Sequence, residues 1–288
     1  MYLPQVAEHQ RARRFGRAVL NEHNSKGTLH VSPQISPDGR SIAYLSERDF
    51  FFVDLYLADA ETGHVRRKLV RSSIDPNFET LRFINSTGAW SPDGSEFAFA
   101  AKSGAEDVLA ILDVRSGRIV GRFRLGLNAI TNPTWSPDGA HLAFTGYDGG
   151  WSDLYTVDRD GENLRRLTND RYADLMPAWS PDGHTIAFAT DRGPGTDFSI
   201  MRFGNMRIGL YYLDGDSTAT LPNMEAGKNI NPVWSPDGQS IAFLSDRAIP
   251  GAKKGDDGEP KTQIWAIPAS GGEAYPVTRL DRDVKAFG

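Results

Sequence analysis

Five aspartates recur in one tetrapeptide, Ser-Pro-Asp-Gly, at Asp38, Asp93, Asp138, Asp182 and Asp237. Such an array invites a reading as a cation site, but an Asp held between Pro and Gly hydrogen-bonds its own backbone and serves the turn. Asn132 and Asn231, each three residues before a Trp, are placed to line a channel and ligate a cation. The matching positions in the other repeats are Ser32, Thr87 and Met176, and a hard cation needs several carboxylates. Six histidines, at positions 9, 23, 30, 64, 141 and 184, are scattered with no His-Glu-x-x-His or paired spacing, and cysteine is absent. A zinc site therefore has little support. No Gly-x-Ser-x-Gly elbow occurs, which removes the nucleophile of a serine hydrolase of the α/β type. These residues predict no catalytic group, no metal and no cofactor.

What the tetrapeptide does predict is architecture. Pro pre-sets φ at the first corner, Asp tolerates the second and Gly takes the left-handed position, so each copy should join two antiparallel strands. Trp90, Trp135, Trp179 and Trp234 stand immediately before four copies, with Ile35 before the first. Three residues after each Gly comes a triplet such as Ile42-Ala43-Tyr44 or Ile186-Ala187-Phe188. Residues two apart share a strand face, so the large pair points one way and the Ala the other, and both faces are buried. The invariably small Ala makes room for something bulky from a neighbouring unit, its Trp. Successive motif serines stand 55, 45, 44 and 55 residues apart, and roughly 40–45 residues is the period of a four-stranded propeller blade. Pro33, Pro133, Pro177 and Pro232 fall on the strand before the motif, which must then be an edge, because proline lacks a ladder donor. The fold expected is all-β, a β-propeller with five complete blades.

The pattern Pro-x-Trp-Ser-Pro-Asp-Gly-x-x-[Ile/Leu]-Ala-Phe, with Asp153-Leu154-Tyr155 and Leu164-Arg165-Arg166-Leu167-Thr168 in blade three, resembles the WD-like repeat of the TolB propeller. The resemblance covers about residues 30–279. The run from Lys261, with Ile264-Trp265-Ala266-Ile267-Pro268, is also similar to the amino-terminal propellers of prolyl-oligopeptidase-like serine peptidases. The first resemblance implies a non-catalytic scaffold that binds a protein or peptide partner, in the periplasm or cell envelope, while leaving the cytoplasm open. The second implies a propeller that gates substrate to a hydrolase domain.

Residues 1–29 lie outside the repeat and form a separate segment before the propeller of 30–288. Gln5 to Leu20 lack strand alternation and predict a short helix, with Arg11, Arg13, Arg14 and Arg17 as a solvated face. There is no apolar h-region, so this segment does not read as a signal peptide. The spacing from Thr168 to Trp179, laid from Thr278, runs past Gly288, and the expectation is a truncated sixth blade whose inner strand starts at Asp283–Gly288. A net charge of −5 with interspersed signs carries no nucleic-acid footprint, and no apolar run approaches a membrane span.

Three long insertions, 71–88, 191–207 and 246–262, fall on the face opposite the tetrapeptide turns. Gly255-Asp256-Asp257-Gly258 in the last has the composition of a disordered loop. The insertion in blade four interleaves Phe198, Ile200, Met201, Phe203 and Met206 with Arg202 and Arg207, the mixture that interface cores favour. Phe198, Met201, Arg202 and Phe203 are the candidate partner site. The alternative for them is a plug folded over the ring.

Overall fold

The computed structural model describes residues 19–20, 27, 29–48, 53–71, 80–81, 86–104, 106–249, 251, 260–280 and 282–284. Among them there is no helix, and the strands form five antiparallel sheets. Blade one is Val31–Ile35, Ser41–Ser46, Asp54–Asp59 and Val65–Val70, paired in chain order. Blade two has an innermost strand in two pieces, Thr80–Leu81 and Ala89–Trp90, both paired to Glu96–Ser103, followed by Glu106–Asp113 and Arg118–Phe123. Blade three is Ala129–Trp135, His141–Asp148, Trp151–Asp158 and Arg165–Arg166; blade four is Asp174–Trp179, Thr185–Thr190, Arg207–Tyr212 and Ser217–Thr220. Blade five is Asn229–Trp234, Ser240–Ser245, Gln263–Pro268 and Tyr275–Pro276. The described residues form an all-β propeller of five blades.

Each residue of the tetrapeptide has a separate job. The Gly amide donates to the Ser carbonyl at 2.8–3.0 Å in all five copies, with the Gly at φ between 69° and 76°, a region other residues enter at a cost. The Ser hydroxyl donates to the Asp carboxylate and accepts the amide five residues on, as from Thr185 to Ser180 at 2.9 Å. The Asp carboxylate then takes the amide two residues on, as from His184 to Asp182 at 3.0 Å. These donors hold all five carboxyls below the usual range. Asp38, Asp93, Asp138, Asp182 and Asp237 each sit in such a turn.

The triplet sets the order of packing between blades. Ala43 lies in one cluster with Phe97, Phe99 and Trp90 of blade two, and Ala98 with Leu142, Phe144 and Trp135 of blade three. Ala143 meets Ile186, Phe188 and Trp179, and Ala187 meets Ile241, Phe243 and Trp234. At each of these four interfaces the Ala of one blade thus faces the large pair of the next. The indoles add a directed bond: Trp90 donates to Gln34 O at 3.0 Å, Trp135 to Ala89 O at 3.2 Å and Trp234 to Ala178 O at 3.0 Å. Trp179 Nε1 is buried without an acceptor.

The innermost strands of blades one, three, four and five bulge at their X-Pro pairs. Ser32, Asn132, Met176 and Asn231 take φ of 52°, 52°, 57° and 53° there. An extra residue before a proline breaks the ladder where no donor is available, and an edge strand tolerates this.

The third strand of blade four, Arg207–Tyr212, ends where Tyr212 pairs with Thr185 and Leu213 closes onto His184 O. The outer strands of blades three and five stop before their Leu-Thr and Val-Thr pairs. There the Thr hydroxyl replaces a main-chain carbonyl, accepting Leu154 N at Thr168 and Ile264 N at Thr278, at 3.0 and 2.9 Å. The expected helix at Gln5 lies outside the described residues apart from Val19 and Leu20, which pack on the large-pair face of blade one. Gly255–Gly258 also lies outside them. Of the expected sixth inner strand only Asp283 and Val284 are described, and both hydrogen-bond Thr262 at the start of blade five's third strand.

Candidate partner-binding site

The insertion in blade four begins at Asp191, leaves between the second and third strands, and returns at Arg207. Its neck is a backbone-to-backbone contact, since a Cβ on Gly204 would lie 3.0–3.1 Å from main-chain atoms of Gly195 and Thr196. At that separation a side chain would force the two segments apart by a few tenths of an ångström. Above the neck, Asp197 and Arg202 exchange both main-chain hydrogen bonds, at 2.8 and 3.0 Å. The Asp197 carboxylate accepts Ser199 N and Oγ at 3.0 and 2.6 Å, which lowers its pKa, the Ser199 side chain being the largest cause. Arg202 Nε donates to Gly195 O at 3.1 Å, and Thr196 Oγ1 joins Asp191 O to Gly204 N. The loop is a small hairpin with its own internal bonds.

That hairpin presents a hydrophobic tip. Ile200, Met201 and Phe203 are 64%, 70% and 60% exposed, Arg202 is exposed beside them, and Met201 sits at φ 53°. Phe198 is half-buried, edge-on to Tyr172 at 5.2 Å and to Phe203 at 6.4 Å. Met201, Arg202 and Phe203 therefore stand together in solvent with Phe198 as their base, and they do not fold back as a plug. Isolated exposed apolar residues are ordinary, but adjacent ones on a braced turn form a patch.

Below Phe198 the contacts turn polar. The Arg192 guanidinium lies 5.1 Å from the Tyr172 ring centre and bridges Asp170 and Asp174, the latter at 2.5 Å. Thr190 Oγ1 donates to Asp174 at 2.7 Å. Burial pushes the Asp174 carboxyl up to about 6, with Arg192 pulling the other way. Tyr172 and Asp174 were not legible as parts of the site, because they stand outside the insertion 191–207 and only the blade brings them to Arg192 and Phe198.

The remaining candidates lie elsewhere. His141 and His184 line a cleft of about 480 Å³ between the turns of blades three and four, paired to Asp158 at 2.8 Å and Asp214 at 3.2 Å. Both are exposed. Among the described residues no group of three His, Cys, Asp or Glu side chains is placed to hold a metal ion. Trp135 is buried, and Trp90, Trp179 and Trp234 are half-buried between blades.

Comparison with known proteins bears on the fold. Residues 79–204 match the TolB beta propeller domain family. A solved structure assigned as TolB from Agrobacterium tumefaciens superposes with a TM-score of 0.58 at 26% identity, over 74% of this chain and 73% of that one. TolB from Acinetobacter baumannii gives 0.62 at 21% identity over 85% of this chain and 56% of that one, a likeness of fold. Dipeptidyl-peptidase 5 of Porphyromonas gingivalis is 35% identical over 91 residues, 30% of this chain and 12% of its own length.

Proposed function

Because this is a TolB-like β-propeller, we propose that it is a non-catalytic scaffold whose partner is a protein or peptide, bound at the hairpin tip of blade four in the cell envelope. The observation that carries the reading is the tip itself: three large apolar side chains held in water on a hairpin braced by its own hydrogen bonds. Rigid apolar anchors lose little entropy on docking, and such residues dominate interface energetics. The test is capture from an envelope extract with a photo-cross-linker at position 201, repeated in the double variant Phe198→Ala, Phe203→Ala. The expected result is one cross-linked species that falls at least tenfold in the variant. Equal capture by both chains would move the site elsewhere.

A second reading has its own support in the similarity to dipeptidyl-peptidase 5: the propeller gates substrate to a hydrolase domain. A Gly-x-Ser-x-Gly motif in the reading frame after Gly288 would favour it. Either reading accommodates a further blade on the Ala face of blade five. Ala242 there is only partly buried, whereas Ala43, Ala98, Ala143 and Ala187 are each 0% exposed. Direct packing of blade five on blade one in an experimental structure would remove that element.

A further inference from the structure

Each blade ends in an outermost strand with no further strand beyond it among the described residues. Such an edge is a template for another strand, and proteins guard it with charge, proline, bulges or shortness. Val65–Val70 carries Arg66, Arg67 and Lys68 and pairs through two register shifts, while Arg118–Phe123 carries Arg118 and Arg122 and pairs through one. Arg165–Arg166 is two charged residues, and Tyr275–Pro276 is two residues ending in proline. Ser217–Thr220 in blade four has none of these devices. Its sequence, Ser-Thr-Ala-Thr, is uncharged, it pairs with Arg207–Tyr212 without a shift, and all four residues are exposed. The ladder fixes which groups are free. Leu221 N donates to Ile208 O at 2.9 Å, so the residues in step with it, Ala219 and Ser217, face the sheet, and Thr218 and Thr220 turn both main-chain groups outward. Among the described residues nothing outside the sheet hydrogen-bonds either of them. Asp216, at φ 45°, and Pro222 close the edge at its two ends.

We propose that this edge pairs with the same edge of a second copy of the chain, antiparallel about a two-fold axis through Ala219. Thr218 of each copy then stands opposite Thr220 of the other, and two blade-four sheets join into one of eight strands. This register satisfies every outward main-chain group of both strands; sliding by two residues sets Thr218 against itself and leaves Thr220 facing the Asp216 turn. Like meets like across a two-fold axis, and that selects the occupant. An uncharged strand can face itself, whereas Arg66-Arg67-Lys68 or Arg165-Arg166 would set like charges opposite one another. The two Thr218–Thr220 contacts are favourable cross-strand pairs, and Ala219 puts no bulk on the axis. Four residues per copy bury far less than the about 1,200 Å² of a stable interface, so the dimer forms at high concentration and dissociates on dilution. Blade four also carries the hairpin of 191–207, and pairing would put two tips on one sheet for a bivalent partner. That use rests on the proposed scaffold function; the pairing does not.

The chain has no cysteine, so a single introduced thiol reports the register. Ala219→Cys lies on the axis, where the two residues of a non-hydrogen-bonded pair stand within disulfide range, and mild oxidation of the full chain should link it into a dimer. Ser217→Cys is equally exposed on the same face but offset from its own copy by four residues, and should link at least tenfold more slowly. Sedimentation equilibrium of the unaltered chain should show monomer and dimer in exchange. Ala219→Lys alone and Ala219→Glu alone should each raise the dissociation constant at least tenfold, and mixing the two should restore the dimer, because opposite charges then meet across the axis. A chain that stays monomeric at every concentration, a dimer that Ala219→Lys leaves intact, or equal linking of the two thiols overturns the pairing. A monomeric chain whose partner capture falls in Ala219→Lys also overturns it, and gives the edge to a strand of another protein. The Phe198→Ala, Phe203→Ala variant should dimerise as the unaltered chain does. If that variant keeps partner capture while dimerisation depends on Ala219, the tip reading fails and the edge pairing stands.

Discussion

Trp135 and Trp179 occupy the same position in consecutive blades and differ by one hydrogen bond. Trp135 is 5% exposed and donates to Ala89 O, while the Trp179 indole nitrogen is buried without an acceptor. Trp135→Ala should cost about 3–5 kcal/mol, the range for truncating a buried aromatic. The sharper comparison is to Phe, which keeps the ring and removes the donor. Trp135→Phe should lose about 1 kcal/mol more stability than Trp179→Phe, because only the first breaks a made bond and the second removes an unsatisfied polar group. Urea midpoints of the two variants measure this, and equal losses would mean that the indole bond to the preceding blade contributes nothing.

At the scale of the element, the blade-four hairpin is separable from the sheet that carries it. Above its foot, where Asp191 and Arg192 bond Ala173, Asp170 and Asp174, its bonds are internal to residues 191–204, and the sheet beneath is closed by the pairing of Thr185–Thr190 with Arg207–Tyr212. Gly204→Ala would place a methyl 3.0–3.1 Å from main-chain atoms that cannot rotate away. The neck must open by a few tenths of an ångström, and the tip must tilt with it. Partner capture should fall severalfold while the thermal midpoint moves by no more than an exposed-loop substitution would, about 0.5 kcal/mol in stability. A large loss of stability with capture unchanged would show that the hairpin braces the blade.

At the scale of the whole molecule, the described carboxylates whose ionisation is displaced divide into two populations with opposite pH signatures. The turn aspartates are depressed, Asp93 to about 2 by Ser91, and their contribution to stability is present above the unfolded value of 3.8 and lost as pH falls through the folded value. Asp174 is raised by burial to about 6, so between about 4 and 6 the folded state binds more protons, and this group's contribution falls as pH rises through that window. Asp153 and Asp191 shift the same way from burial. Urea midpoints from pH 2 to 7 should therefore rise steeply as the turns ionise and then flatten or sag toward pH 6. Asp174→Asn should abolish its share of the sag without touching the acid limb; an unchanged profile would place the carboxyl's titration elsewhere.

The architecture was determined by sequence alone, and for a local reason. A Ser-Pro-Asp-Gly turn encodes its own hydrogen bonds within six residues, and the large-Ala-large triplet encodes which face packs on which neighbour, so repetition fixes the blade and the order of blades. The tip residues Phe198, Met201, Arg202 and Phe203 were also legible, since apolar side chains between two strand signals are conspicuous. Whether they stand in water or fold inward was decided only by the tertiary structure. That outcome depends on the glycine contact at the neck and on Tyr172, which arrives from the turn before blade four to support Phe198. The buried carboxyl of Asp174 is of the same kind. Whether a carboxylate is buried, and whether Arg192 is already engaged by Asp170 and Asp174, are facts of distance that no spacing in the chain expresses.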